Sequence, residues 1–299
     1  MTRHLLDIPD LTADELRHVL LLAEQPNLPQ VLAGKGVALI FEKPSNRTRH
    51  SMEMAVFELG GHPVYTRGEE VGLDVRESVE DVTKVMCGYH GMLAARVFAH
   101  TIVTRMAAVS PVPVVNMLSD HSHPLQALAD VLTMQQVHGS VVGLPVAFVG
   151  DYNNVSRSLG EALVMLGGSL TLGCPVGYHA DDVELERLNG LGPGSVTQVH
   201  RPADAVAGAV AVHTDSWTSM GQEAEKQQRK VVFEGYTVDN AMLSHAAPGA
   251  GFYHCLPAYR GLEVAGEVID GPQSHVFAQA HNRLHAARGA LAFLMGVRA

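Results

Sequence analysis

Two periods alternate along this chain. Unbroken apolar runs recur at about 37–41, 63–66, 92–97 and 112–117, and between them, at 48–59, 78–90 and 100–109, apolar positions return at helical spacing. A run such as Val37-Ala38-Leu39-Ile40-Phe41 suits a strand covered on both faces, and the spaced stretches suit helices with one apolar side. Their alternation predicts a parallel sheet with covering helices. A second series opens at Val146-Ala147-Phe148-Val149, with strand candidates at 169–173, 196–199, 209–214 and 251–255, and predicts a second α/β unit. Thr12-Ala13-Asp14-Glu15 reads as a capping box ahead of Leu16, Val19, Leu20 and Ala23. Pro124 to His138 has no interior Gly or Pro and can form one continuous helix crossing between units; Ser274 to Met295 is a second long helical pattern. Either also suits an ordinary surface helix. No internal repeat or low-complexity segment stands out.

Composition narrows the functional classes. A length of 299 residues suits two domains, and 46% hydrophobic residues reads as globular. A net charge of −10 argues against a general nucleic-acid or anionic-membrane binder, which needs a basic surface, so any anionic ligand must be caught by local arginines. Cys87, Cys174 and Cys255 are odd in number and widely spaced, which suggests neither a disulfide framework nor a zinc knuckle; a reducing cytoplasm is expected. The opening Met-Thr-Arg-His-Leu-Leu-Asp-Ile-Pro has no apolar signal core, and no apolar stretch approaches the roughly 20 residues that span a bilayer. The 17 histidines fall in no metal-binding spacing, and neither a metal nor a cofactor is expected.

The chemistry concentrates just past the strands. Pro44-Ser45-Asn46-Arg47-Thr48-Arg49 lies between the first strand and a helix that ends at Gly60-Gly61, so Ser45 to Thr48 stand at the helix amino end, where unpaired N–H groups and the positive end of the dipole favour an anion such as phosphate. A plain helix cap with two solvated arginines fits the same string. Arg96 ends a strand, where a surface charge is the simple expectation. Asp120-His121-Ser122-His123-Pro124-Leu125-Gln126 follows another strand, and His123 and Gln126 can reach one small group, although a lone histidine is often structural. Gly150-Asp151-Tyr152-Asn153-Asn154 follows the first strand of the second unit; it is no G-x-G-x-x-G, and its amides suit an uncharged or carboxylate group, with one of them serving equally well as a helix cap. Asp215, in Thr214-Asp215-Ser216-Trp217-Thr218-Ser219-Met220-Gly221, stands at a strand tip where it can bind an ammonium, and Ser219 with the glycine behind it can close over a ligand. His254-Cys255-Leu256-Pro257-Ala258 places a cysteine at another strand tip, with the proline fixing the direction of the Leu256 carbonyl.

Taken in order, S-x-R-T-R, Arg96, H-P-x-Q, D-x-x-x-S-M-G and H-C-L-P-A resemble the aspartate/ornithine carbamoyltransferase family, and its ornithine branch in particular, over nearly the whole chain from Phe41 to Arg283. The resemblance implies an α/β fold of two domains, each a parallel sheet covered by helices and joined by two long interdomain helices: a carbamoyl-phosphate domain over 1–130, with the terminal helix 275–299 packing back on it, and an ornithine domain over 131–274. It implies a cytoplasmic homotrimer whose active sites are shared between subunits. It implies that carbamoyl phosphate is held by Ser45, Asn46, Arg47, Thr48, Arg96, His123, Gln126, Cys255, Leu256 and Arg283, that ornithine is held by Asn154, Asp215, Ser219 and Met220, and that Arg47, Arg96, His123 and Cys255 carry catalysis. The implied products are citrulline and phosphate. Another amine acceptor such as putrescine, or a non-catalytic ligand-binding homologue, remains the alternative. The chain departs from the pattern at Asn46, at His281 where relatives usually carry Glu, and in the loop 67–77, which lacks the Gln that relatives insert from a neighbouring subunit.

Overall fold

The computed structural model describes residues 2–218 and 223–298. Contacts divide the chain into two compact units, one formed by residues up to Ala129 together with those from His281 onward, the other by Asp130–Ala280.

In the first unit, β1 (Gly36–Phe41), β2 (His62–Arg67), β3 (His90–Arg96) and β4 (Val114–Leu118) form a parallel sheet in the order β2-β1-β3-β4. The helices α1 (Ala13–Glu24), α2 (Asn46–Glu58), α3 (Gly68–Val71), α4 (Val79–Tyr89), α5 (His100–Val109) and the first turns of α6 (Pro124–His138) accompany it. Val37 to Phe41 and all of β4 are buried, as expected of strands covered on both faces. Ala38, Ile40, Leu93, Ala95, Val103 and Met106 belong to one core between sheet and helices. The capping box at Thr12 forms as the pattern predicts, Thr12 Oγ accepting from Glu15 N–H and Glu15 returning a bond to Thr12 N–H.

The second unit holds the parallel strands β5 (Pro145–Val149), β6 (Ser169–Gly173), β7 (Ser195–Val199), β8 (Ala211–Thr214) and β9 (Gly251–His254) in the order β7-β6-β5-β8-β9. With them go the later turns of α6, then α7 (Asn154–Leu166), α8 (Asp182–Asn189), α9 (Pro202–Val206), α10 (Lys226–Val232), α11 (Asn240–Leu243), α12 (Gly266–Ile269) and the start of α13 (Val276–Leu294). Val149, Val212, Trp217, Phe233, Phe252 and Val268 share its core. The expected fold, two parallel sheets covered by helices, is borne out, and both unit boundaries fall inside long helices, α6 and α13. Among the described residues no helix is long and apolar enough to cross a membrane.

One close approach in the first unit is invisible to periodicity. An added Cβ at Gly289 of α13 would lie 2.6 Å from the Val19 carbonyl oxygen and 2.8 Å from the Ala23 nitrogen, both backbone atoms of α1. The helices therefore meet backbone to backbone, and only glycine fits. Gly289→Ala is expected to cost about 1–3 kcal/mol through overpacking, read as a lower urea or thermal midpoint; an unchanged midpoint would mean that α1 yields to a methyl group.

Candidate functional site

The strand orders determine where side chains can converge. In the first sheet the chain leaves β1 toward β2 on one side and returns to β3 on the other, so the loops after β1 and β3 diverge and leave a crevice at their carboxyl ends. Phe41 pairs with Arg96 there. Ser45 follows immediately as the N-cap residue of α2, yet its side chain makes no capping bond; its hydroxyl donates instead to Thr48 Oγ1 at 3.1 Å. The first amides of α2 are thus left without a side-chain acceptor from their own cap.

Thr48 is the hub of this half. Its buried hydroxyl also accepts from Arg96 Nη1 at 3.4 Å and from Arg283 Nη2 at 3.3 Å. Arg283 Nη1 donates to Gln126 Oε1 and faces His123 Nε2 at 3.5 Å. Burial, and then the guanidiniums of Arg283 and Arg96, hold the His123 imidazole well below its ordinary range, so it is neutral. The two arginines of the turn differ. Arg49 pairs with Glu53 at 2.8 Å and stacks over Tyr65 at 4.0 Å, whereas Arg47 is half-buried and makes no hydrogen bond or ion pair among the described residues. Asn46 is the exposed first residue of α2.

In the second sheet the switch lies between β5 and β8, where Val149 pairs with Thr214. The loop after β5 carries both amides, and the structure separates them. Asn153 caps α7, its Oδ1 accepting from Val155 N–H at 2.9 Å and Ser156 N–H at 3.1 Å, while Asn154 opens the helix half-buried. Asp215, just past β8, accepts from Asn153 Nδ2 at 3.0 Å, from Ser216 N–H at 2.7 Å and from the Cys255 thiol at 2.9 Å. Asn153 is thus both cap and partner of Asp215, a role the sequence reading left open. Ser219 and Met220 lie outside the described residues.

Cys255 is seated by its neighbours. The buried His254 accepts Leu256 N–H on Nδ1 at 2.8 Å, which leaves Nε2–H to meet Glu263 Oε1 at 3.2 Å, and the same carboxylate oxygen accepts Tyr259 N–H. Leu256 is in the left-handed region, at φ 58°. Asp215, His254 and Cys255 each present a possible metal-ligand atom within 4.8 Å of one another. The thiol and His254 Nδ1 are both committed to hydrogen bonds, so a metal would have to displace Leu256 N–H and the thiol proton. Cys174, by contrast, is fully buried, and burial pushes its thiol up.

A buried ion pair ties α10 to Asp151, just past β5, and a further bond ties it to Trp217, past β8. Arg229 of α10 donates to Asp151 Oδ2 at 2.6 Å, to the Trp217 carbonyl at 2.9 Å and to Glu225 at 2.9 Å, with its guanidinium over Tyr178. Nothing in the local pattern joins Arg229 to Asp151, which are 78 residues apart.

Comparison with known proteins covers both halves. The aspartate/ornithine carbamoyltransferase carbamoyl-P binding domain matches residues 3–136, and the Asp/Orn binding domain of the same family matches 142–294. The ornithine carbamoyltransferase of Thermus thermophilus is 44% identical over 299 residues, covering 99% of this chain and 97% of the relative. The anabolic ornithine carbamoyltransferase of Pyrococcus furiosus is 41% identical, covering 98% and 96%. A solved ornithine carbamoyltransferase structure from Pyrococcus furiosus superposes with a TM-score of 0.94 at 40% identity, covering 99% of this chain and 98% of that one.

Burial pushes the Asp151 carboxyl from 3.8 up to about 6, against the pull of Arg229. An acid raised in this way is harder to ionise folded than unfolded, so its contribution is fully present below 3.8 and is lost as pH rises through about 6. The loss amounts to about 2–3 kcal/mol. Asp151→Asn cannot ionise and is expected to flatten the urea midpoint between pH 4 and 7; a wild-type decline retained in the variant would assign that slope to another group.

Proposed function

We propose that this chain, which belongs to the aspartate/ornithine carbamoyltransferase family, transfers the carbamoyl group of carbamoyl phosphate to the δ-amine of L-ornithine, giving citrulline and phosphate in arginine biosynthesis. The observation that carries this reading is the cluster of Arg96, Arg283 and Ser45 on the Thr48 hydroxyl, at a helix end whose cap residue makes no side-chain cap. Such an end is built for a phosphoryl dianion.

The reaction follows from these groups. In the first unit the phosphate docks on the amides of Ser45 to Thr48 and on Arg47, while Gln126, His123 and Arg283 hold the carbamoyl group. The unprotonated δ-amine attacks the carbamoyl carbon, the carbonyl π electrons move onto oxygen, and Arg96, His123 and Thr48 meet that developing charge. Each preorganised donor of this kind is worth about 3–4 kcal/mol. Because His123 is neutral, it hydrogen-bonds to the carbamoyl group without adding a titratable charge. Collapse breaks the carbon–oxygen bond to phosphate, and the proton of the former amine leaves with the phosphate. Asn154 and Asp215, with Ser219 and Met220, hold the α-carboxylate and α-ammonium of ornithine. A free alkylamine titrates near 10.4, so the site must favour the free base, and Cys255 on Asp215 with the Leu256 carbonyl is the means.

The same reading makes the enzyme a cytoplasmic homotrimer with shared sites. What supports a subunit contact is that β2 is an unpaired sheet edge and that Val64 on it, with Met54 and Phe57 on the neighbouring α2, is exposed. Sedimentation of the purified protein reads the assembly.

Incubated with carbamoyl phosphate and a panel of amines, the protein is expected to form citrulline from L-ornithine; faster carbamoylation of putrescine or lysine would overturn the acceptor. Arg47→Ala is expected to weaken carbamoyl-phosphate binding by about a hundredfold or more, the loss of a charge-assisted phosphate contact. Calorimetric titration with carbamoyl phosphate checks this, and wild-type affinity would remove Arg47 from the cradle.

A further inference from the structure

We infer that Gln279 is a positioning residue for the acceptor half: its carboxamide stands in for a missing neighbour strand at the tip of β9 and thereby seats Cys255 against Asp215. The inference rests on reading Asp215 and Cys255 as the acceptor end of the site. β9 is the edge of its sheet, so its outward N–H groups have no strand partner. They are satisfied in two ways. Phe252 N–H donates to the Gln273 carbonyl at 2.8 Å, and two residues on, His254 N–H donates to Gln279 Oε1 at 2.8 Å. The last rung of this edge, next to Cys255, is therefore made by a side chain.

The other end of the carboxamide is equally committed. Gln279 Nε2 donates to Asp130 Oδ1 at 2.6 Å and lies 3.1 Å from His213 Nε2. His213 is two residues before Asp215 on β8, and its ring stacks on Phe148. Asp130, His213, His254 and Gln279 are all fully buried, so none of these bonds can be exchanged for water. One side chain on the first turn of α13 thus reaches the strand that leads to Asp215 and the strand that leads to Cys255, and the thiol-to-carboxylate bond of 2.9 Å joins the two tips. A lateral shift of either tip breaks the thiol bond to Asp215, and misplacement of about 1 Å at a reacting group is enough to slow turnover.

The test uses the full-length enzyme. Gln279→Leu keeps much of the volume and removes both polar ends. It is expected to raise the ornithine KM several-fold and lower kcat about tenfold while leaving the carbamoyl-phosphate dissociation constant within about twofold of wild type. Iodoacetamide should alkylate Cys255 several-fold faster in this variant, followed by peptide mass mapping, because the thiol is released from Asp215. Gln279→Glu keeps the oxygen that accepts from His254 N–H, and because two carboxylates this close in a buried site cannot both ionise, its protonated form can donate to Asp130 in place of Nε2 and should remain within about threefold of wild type. Wild-type kinetics in Gln279→Leu, an equal loss of carbamoyl-phosphate affinity, or equal damage in Gln279→Glu would each overturn the proposal. If Gln279→Leu does not fold, His213→Phe carries the test. It preserves the ring on Phe148 and removes the nitrogen facing the carboxamide; a few-fold rise in ornithine KM alone supports the proposal, and unchanged kinetics reject it. Failure of the wild-type protein to use ornithine would refute the acceptor assignment instead, and Cys255 alkylation in the variants would still report on the tip geometry.

Discussion

Parallel strands deliver their carboxyl ends to one side of the sheet, and where the chain winds outward in opposite directions from two neighbouring strands, the loops part and leave room for a ligand. Everything chemical in this protein depends on that constraint. In the first unit it aligns Phe41 with Arg96, so the turn after β1 and the arginine ending β3 open on the same crevice. In the second it aligns Val149 with Thr214, so Asn153 and Asp215 meet across the equivalent crevice at 3.0 Å. The two sheets have different strand orders, yet each places its polar residues at its own switch point. Register, more than local sequence, brings these groups together.

What the crevices hold is organised by one oxygen-bearing group in each unit. Thr48 collects Ser45, Arg96 and Arg283; Asp215 collects Asn153, Ser216 N–H and Cys255. A ligand entering either half replaces hydrogen bonds that are already aimed, so little reorganisation is left for the reacting state. The arrangement also divides the labour of the basic turn. Arg49 is held by Glu53 and Tyr65 on the surface of the unit, whereas Arg47 makes no ion pair among the described residues.

Much of this was legible in the sequence, for physical reasons that can be named. The unbroken run Val37 to Phe41 marked a doubly covered strand, the Thr12 to Glu15 capping box formed, and the absence of Gly or Pro between Leu125 and His138 marked α6 as continuous. These are local signals. The pattern did not flag the short helices α8 and α9, because neither is long enough to show a full apolar stripe. Nor could it tell Asn153 from Asn154, since the capping amide is chosen by one residue of backbone geometry. The partners that seat the site were beyond its reach altogether: Arg229 for Asp151, Glu263 for His254, and Gln279 for the tip of β9 all depend on tertiary register. Glycine at 289, inside the long terminal helical pattern, is the condition for α13 to meet α1, which periodicity does not show.

The electrostatics of the first half resolve an apparent conflict in the composition. A chain of net charge −10 repels anions at long range, yet the reaction needs a dianionic donor. The answer is concentration. Arg96 and Arg283 both reach the Thr48 hydroxyl, and Arg47 stands one residue before it on the same helix end. Burial first, and then the guanidiniums of Arg283 and Arg96, exclude the proton from His123. That exclusion matters chemically. A protonated imidazole would add a further charge and make donor binding rise and fall with pH, whereas the neutral ring leaves charge recognition to guanidiniums, which stay protonated throughout the physiological range.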